Sequence, residues 1–103
     1  MSLSFSKLME LAAQGESEHR EGSVIYRGFT FRTPREFLHF IPPNFKLMSR
    51  WSYSELRLVW ISAKDRTIFT YCEGDLVLEV YDDTEEFRRG MERTEKYYEE
   101  LEG

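Results

Sequence analysis

The sequence predicts a single α+β domain, in which an antiparallel meander sheet of four to five strands has a C-terminal helix on one face and short helices near the N-terminus. Strand-like segments follow one another from residue 45 to residue 81, short turns separate them, and an amphipathic segment closes the chain. With 103 residues, 41% of them hydrophobic, the chain fits one domain over 1–103. Residues 1–3 and 102–103 are compatible with cloning scars.

The N-terminal half of the chain contains two helix signals and one strand signal. Apolar residues recur at helical spacing between Ser4 and Gln14, which predicts a first helix. The polar stretch 16–22 predicts a loop, and 23–32 predicts a strand. Thr33-Pro34-Arg35-Glu36 has the pattern of a capping box, so we expect a short helix to begin at Pro34 and to end before Pro42.

The C-terminal half predicts a meander followed by a long helix. Glu73-Gly74 has the composition of a two-residue hairpin loop. Asp82-Asp83-Thr84 indicates the start of a helix that reaches about Leu101. The expected strands cover residues 45–53, 55–62, 66–72 and 75–81.

Alternation along these strands assigns side chains to two faces of the sheet. Leu58, Trp60, Ile68 and Leu78 are expected on the core face, beneath the last helix. The opposite face is also apolar, unlike that of a one-sided sheet, so the N-terminal helix, a second subunit or a ligand must cover it. Because monomers rarely expose large apolar patches, we predict a homodimer through this face. The predicted interface comprises Val59, Ile61, Phe69, Tyr71, Val77 and Tyr81.

The net charge of −5 is unevenly distributed along the chain. Residues 20–66 carry nine basic and four acidic side chains, whereas residues 67–103 carry four basic and twelve acidic ones. Either the acidic helix neutralises the basic strands, or the basic segment forms a binding surface. We expect most of the arginines to be paired. A sequence pI near 5.1 argues against a nucleic-acid partner.

Arginines and aromatic residues alternate in the basic segment and form the candidate binding site of the sequence. Arginine neutralises an anion and stacks on aromatic rings, so such a group could hold a small ligand or an anion. Single-stranded nucleic acid is a weaker alternative for the same group. The candidate binding residues are Arg32, Arg35, Arg50, Trp51, Arg57 and Trp60.

No motif in the sequence predicts catalysis, a metal or a cofactor. His19 and His39 lack a second ligand at metal-binding spacing, and Cys72 falls on the expected core face. The carboxylate pairs at 82–83 and 85–86 suit the start of a helix, where acids complement the helix dipole. We therefore expect that the protein is not an enzyme and that it holds no metal and no cofactor.

The favoured function is a small non-catalytic interaction or regulatory module that self-associates and has a possible protein partner. The alternative is a small-ligand or anion-binding protein that uses residues 27–60. A cytoplasmic location is expected, since the chain has one cysteine and no apolar run of the roughly 20 residues that a membrane helix needs.

Overall fold

A computed structural model describes residues 4–28, 42, 44–51, 57–72 and 75–102. Over these residues the fold is α+β, as predicted, with a six-strand antiparallel sheet, a short N-terminal helix and a long C-terminal helix. The strand order is β1-β2-β6-β5-β4-β3. The strands are β1 (Glu16–Arg20), β2 (Ser23–Arg27), β3 (Lys46–Trp51), β4 (Arg57–Ser62), β5 (Thr67–Cys72) and β6 (Asp75–Val80), and the helices are α1 (Phe5–Ala12) and α2 (Thr84–Glu102).

The predicted meander forms strands β3 to β6. Each of these strands pairs antiparallel with the next, and Cys72 pairs with Asp75 at the end of the β5–β6 hairpin. A register shift between Leu47 and Ser49 indicates a bulge in the β3–β4 pair. In the β4–β5 turn the Ser62 hydroxyl accepts the Asp65 N–H at 3.2 Å.

The sheet has one strand more than the sequence predicts, because residues 16–20 form β1 and not a loop. Its five residues are all exposed, and β1 pairs with β2 at one end of the sheet. An exposed edge strand needs no apolar face, and charged side chains on it discourage pairing with other chains. Glu21 and Gly22 join the two strands with φ of 42° and 84°, the backbone that a tight two-residue hairpin loop requires.

Both helices begin at the residues that the sequence predicts. The Ser4 hydroxyl accepts the Lys7 N–H at 3.2 Å and caps α1. The Asp83 carboxylate accepts the Glu86 N–H at 2.8 Å at the start of α2. Exposed ion pairs between residues three or four apart then run along the first turns of α2.

The two helices lie on opposite faces of the sheet, and the predicted placement of α2 is wrong. One face packs Leu58, Trp60 and Leu78 against α1, and the other packs Val59 and Ile68 against α2. A separate error concerns the phase of β5, where Ile68 pairs with Ile61 and Phe69 pairs with Trp60. Since side chains alternate strictly along a strand, this register puts Phe69 on the α1 face and Ile68 on the α2 face.

Some of the sequence predictions lie outside the described residues. These are the capping box at Thr33, the short helix that begins at Pro34, and the loop residues Glu73 and Gly74. Within the described part of the chain, no helix is long and apolar enough to cross a membrane.

Candidate ligand-binding cleft between α2 and the sheet

Two adjoining cavities lie between α2 and its face of the sheet. The first has a volume of about 350 Å³ and the second of about 490 Å³, both within the range typical of small-ligand sites. Glu79, Tyr81 and Arg93 line both cavities and form the wall that they share. The two cavities and this wall are called the cleft from here on.

Tyr81 is held in the shared wall by hydrogen bonds of its backbone and of its side chain. It follows β6, where its N–H donates to the Arg66 carbonyl at 2.9 Å and its carbonyl accepts from Arg66 Nε at 3.1 Å. Its hydroxyl donates to Glu79 Oε2 at 2.5 Å. The ring also packs edge-on against Phe87 of α2, so that Tyr81 is 4% exposed and fixed in orientation.

Gly90 lets the Tyr81 ring pass close beneath α2. A Cβ atom at position 90 would lie 2.5 Å from Cζ of Tyr81, closer than real Cβ atoms come to any neighbour. A glycine in the middle of a helix lowers its stability by about 1 kcal/mol relative to alanine. The close approach of ring and helix backbone therefore explains this glycine.

The Tyr81 phenol is neutral at physiological pH. Burial, followed by the Glu79 carboxylate that accepts its hydrogen bond, raises the pKa of the phenol far above its usual range. The positive charge of Arg93 opposes this rise. Tyr81 therefore keeps its single proton, which it donates to Glu79, and does not act as a base.

Arg93 differs from the other arginines of α2 in its surroundings. Arg88 pairs with Glu85 and Glu92, and Arg89 pairs with Glu86 at 3.1 Å. Among the described residues, no carboxylate lies within ion-pair distance of Arg93. Its guanidinium hydrogen-bonds to Tyr81, and because arginine carries several N–H donors, it retains further hydrogen-bonding capacity for a bound group.

The two cavities differ in chemical character. The first is bounded by Thr70 and Val77 of the sheet and by Gly90, Thr94, Tyr97 and Tyr98 of α2. The second is bounded mainly by charged and hydroxyl side chains, namely Arg20, Glu21, Ser23 and Glu86, together with Ile25. A molecule in the cleft would thus meet an aromatic, largely apolar end and a charged end.

None of the candidate binding residues of the sequence is among the described residues that line this cleft. Arg32 and Arg35 lie outside the described residues, and Trp60 packs in the α1-side core. Arg50, Trp51 and Arg57 lie on β3 and β4, where Trp51 pairs with Arg57. β3 ends the sheet on the side away from β1, so these positions are remote from the second cavity.

The six residues of the predicted dimer interface do not share one face, so the predicted contiguous patch is wrong. Val59 and Phe69 are both 0% exposed but belong to different cores, beneath α2 and α1 respectively. Tyr71 is buried with Phe69, whereas Ile61, Val77 and Tyr81 lie on the α2 side. The register of β5 accounts for the difference.

The ion pairs that the structure describes lie within α1, within the β1–β2 hairpin and within α2. Arg20 and Arg27 pair with Glu18 of the same hairpin, at 2.6 and 3.5 Å. The acids of the first turns of α2 pair with arginines of α2. None of these ion pairs joins the acidic helix to the basic strands; for Arg32, Arg35, Arg50 and Arg57 the expected pairing stays a prediction.

Histidine and cysteine contribute nothing to the cleft in the described part of the chain. His19 is exposed on β1, Cys72 ends β5, and His39 lies outside the described residues. Among the described residues, no three His, Cys, Asp or Glu side chains converge as metal ligands would.

Neither Gly90 nor Arg93 is among the candidate residues that the sequence predicts. Gly90 had a signal, since a glycine in the interior of an amphipathic helix suggests a close packing contact. Arg93 had none, because in the sequence it resembles the paired arginines 88 and 89.

Comparisons with protein-family models, with curated proteins and with solved structures found no match to this chain. The function must therefore be inferred from the geometry of the cleft.

Proposed function

We propose that the protein is a non-catalytic small-molecule-binding module, whose cleft between α2 and the sheet holds a ligand that carries an anionic group. Arg93 carries this proposal: it lies in the wall of two cavities, and no described carboxylate pairs with it. A guanidinium binds carboxylate and phosphate oxygens through paired N–H groups. A small-ligand-binding protein is the alternative function that the sequence predicts. The site that we propose for the ligand differs from the one that the sequence predicts.

The character of the other cleft residues favours binding over catalysis. The strongly shifted group is the Tyr81 phenol, which keeps its proton at neutral pH. Among the described residues that line the cavities there is no histidine, cysteine or lysine to act as base or nucleophile, and Glu79, the carboxylate of the shared wall, is engaged as the acceptor of the Tyr81 hydrogen bond. Thr70 and Thr94 lack an adjacent base of that kind in the same set.

A titration with 3-phenylpropionate tests the proposed function. This probe carries one carboxylate and an apolar ring that fits the first cavity. In ¹H–¹⁵N correlation spectra we expect shifts concentrated at 77–81 and 90–98. Arg93→Gln should weaken binding about tenfold, the scale of one hydrogen bond to a charged group.

Lys96→Gln is the matched control for this titration. It removes the same charge from the same helix, at an exposed position that lines neither cavity. Its affinity for the probe should match that of the wild type. Equal losses of affinity in both variants would show that the effect is general electrostatics, and they would overturn the proposal. Chemical shift changes at residues away from the cleft would overturn it as well.

That the protein is a homodimeric interaction module stays a prediction. A measurement of its molecular mass in solution tests whether it is a dimer. The supporting argument for the dimer, a bare apolar face, no longer holds, because α1 and α2 each pack on one face of the sheet. A cytoplasmic location is likewise a prediction.

A further inference from the structure

We infer that the ligand of the cleft is a zwitterion, namely an α-amino acid or a close analogue with a large apolar side chain. The inference rests on the proposed function and specifies its ligand. It follows from the presence of Glu79 beside Arg93 in the same wall and from the contrast between the two cavities.

Glu79 makes a purely anionic ligand a poor match for this cleft. Its carboxylate lines both cavities together with Arg93, so that an anion bound at Arg93 also meets a negative charge. One oxygen of Glu79 accepts the Tyr81 hydrogen bond, and a carboxylate has room for further donors. A ligand that presents an ammonium group to Glu79 converts this repulsion into an attraction.

The second cavity extends the negative side of the wall. Besides Glu79 it is lined by Glu21 and Glu86, with Arg20 as the further cation. Arg20 is engaged by Glu18 at 2.6 Å and Glu86 by Arg89 at 3.1 Å, which leaves Glu21 and Glu79 as acids without a described ion pair. An ammonium group is thus favoured on this side and a carboxylate on the Arg93 side.

The first cavity accommodates the body of the ligand. Tyr97 lies four residues after Arg93, so both side chains project from one face of α2, with Cβ atoms about 5–6 Å apart. Tyr97 is 46% exposed, and Val77 and Tyr98 complete an apolar lining. An amino acid whose carboxylate meets Arg93 would place a large apolar side chain against these groups.

Three probes that share one ring and one chain test the inference: L-phenylalanine, 3-phenylpropionate and 2-phenylethylamine. L-phenylalanine carries both an ammonium and a carboxylate group. 3-Phenylpropionate carries only the carboxylate, and 2-phenylethylamine carries only the ammonium. Titrations followed by ¹H–¹⁵N spectra should show phenylalanine binding roughly five- to tenfold tighter than phenylpropionate, as one added charge-assisted hydrogen bond provides. Phenylethylamine should bind more weakly than phenylalanine.

Two variants assign the charges, and a third controls for net charge. Glu79→Gln keeps the shape of the side chain and an oxygen that accepts the Tyr81 hydrogen bond. The variant should lose the preference for phenylalanine over phenylpropionate, and it should bind phenylpropionate at least as tightly as the wild type does. Arg93→Gln should weaken both carboxylates. Glu95→Gln, at an exposed site of α2 outside both cavities, should preserve the wild-type preference.

The outcomes separate the two proposals. Equal, Arg93-dependent affinities for phenylalanine and phenylpropionate, or tighter binding of phenylpropionate, overturn the zwitterion and leave the anion site standing. A preference that survives in Glu79→Gln also overturns it. Absence of shifts at 77–81 and 90–98 with either carboxylate overturns both proposals.

Discussion

Tyr81 and Gly90 form the contact on which the shape of the cleft depends. The ring lies under the helix backbone because position 90 lacks a Cβ atom, and the hydroxyl then meets Glu79. A tyrosine with this degree of burial costs free energy to ionise. Both properties can be measured by substitution.

Gly90→Ala should destabilise the protein, although alanine favours helices. The new methyl group overlaps Tyr81, and overpacking of this kind costs typically 1–3 kcal/mol, more than the roughly 1 kcal/mol that helix propensity contributes. Urea denaturation measures the net loss. In a Tyr81→Leu background the ring is absent, so the same substitution should become stabilising. Loss of stability in both backgrounds would show that Tyr81 is not the cause.

The raised pKa of Tyr81 predicts a loss of stability at alkaline pH. The unfolded phenol releases its proton near pH 10, whereas the folded phenol retains it, so the unfolded state binds fewer protons above that pH. The free energy of unfolding should fall by up to about 1.4 kcal/mol per pH unit from this group above pH 10. Tyr81→Phe should show a shallower fall, measured by urea denaturation from about pH 9 to 11. Identical slopes would contradict the assignment.

The elements of this fold differ in how much the sequence predicts of them. α2 was predicted because an acidic cap precedes a clear apolar period. β1 was missed because Glu16–Arg20 has no apolar residue, and its strand form depends on pairing with β2. β5 was assigned to the wrong phase because apolar residues stand at 68, 69, 71 and 72, which fits either face.

The cleft could not be predicted, because both faces of the sheet are apolar and local spacing does not determine which face each helix covers. Its walls come from β5, β6, the β1–β2 hairpin and α2, and α2 packs on the face opposite to the predicted one. The pairing of Phe69 with Trp60 and Leu78 depends on the register between strands, which the spacing of residues along one strand does not determine. The approach of Tyr81 to Gly90 depends on the face of the sheet that α2 covers.

The N-cap of α2 should contribute measurably to stability. Asp83→Ala removes the acceptor of the Glu86 N–H and should cost about 1 kcal/mol. Asp82→Ala removes a neighbouring acid without a described hydrogen bond to the helix, so its effect should be smaller and should vanish in high salt. Thermal unfolding of the two variants distinguishes the cap from the charge. Equal losses would indicate the dipole effect alone.

At the scale of the whole molecule, the sheet lies between two cores. α1 and α2 cover opposite faces, and the strands between them are apolar on both sides. The second apolar face thus has an intramolecular cover. Among the described residues, one exposed apolar side chain is that of Leu47 on β3, which is 53% exposed.

Phe69→Glu should unfold the protein rather than change its oligomeric state. Phe69 is buried in the α1-side core, and an unpaired charge there costs several kcal/mol. Leu47→Glu introduces the same charge at an exposed apolar site and should stay folded. Circular dichroism measures folding, and light scattering of the wild type tests the predicted homodimer. A folded Phe69→Glu protein would contradict the burial of that residue.

The pairing of β2 with β6 has a consequence for the order of folding. It joins Val24 to Val80, whereas the pairings from β3 to β6 connect strands that follow one another along the chain. Closing a long loop costs more entropy than closing a hairpin, so we expect the meander to gain its contacts first and the N-terminal hairpin to dock late. The same hairpin supplies Arg20 and Glu21 to the second cavity, so transient undocking would open the cleft from that side.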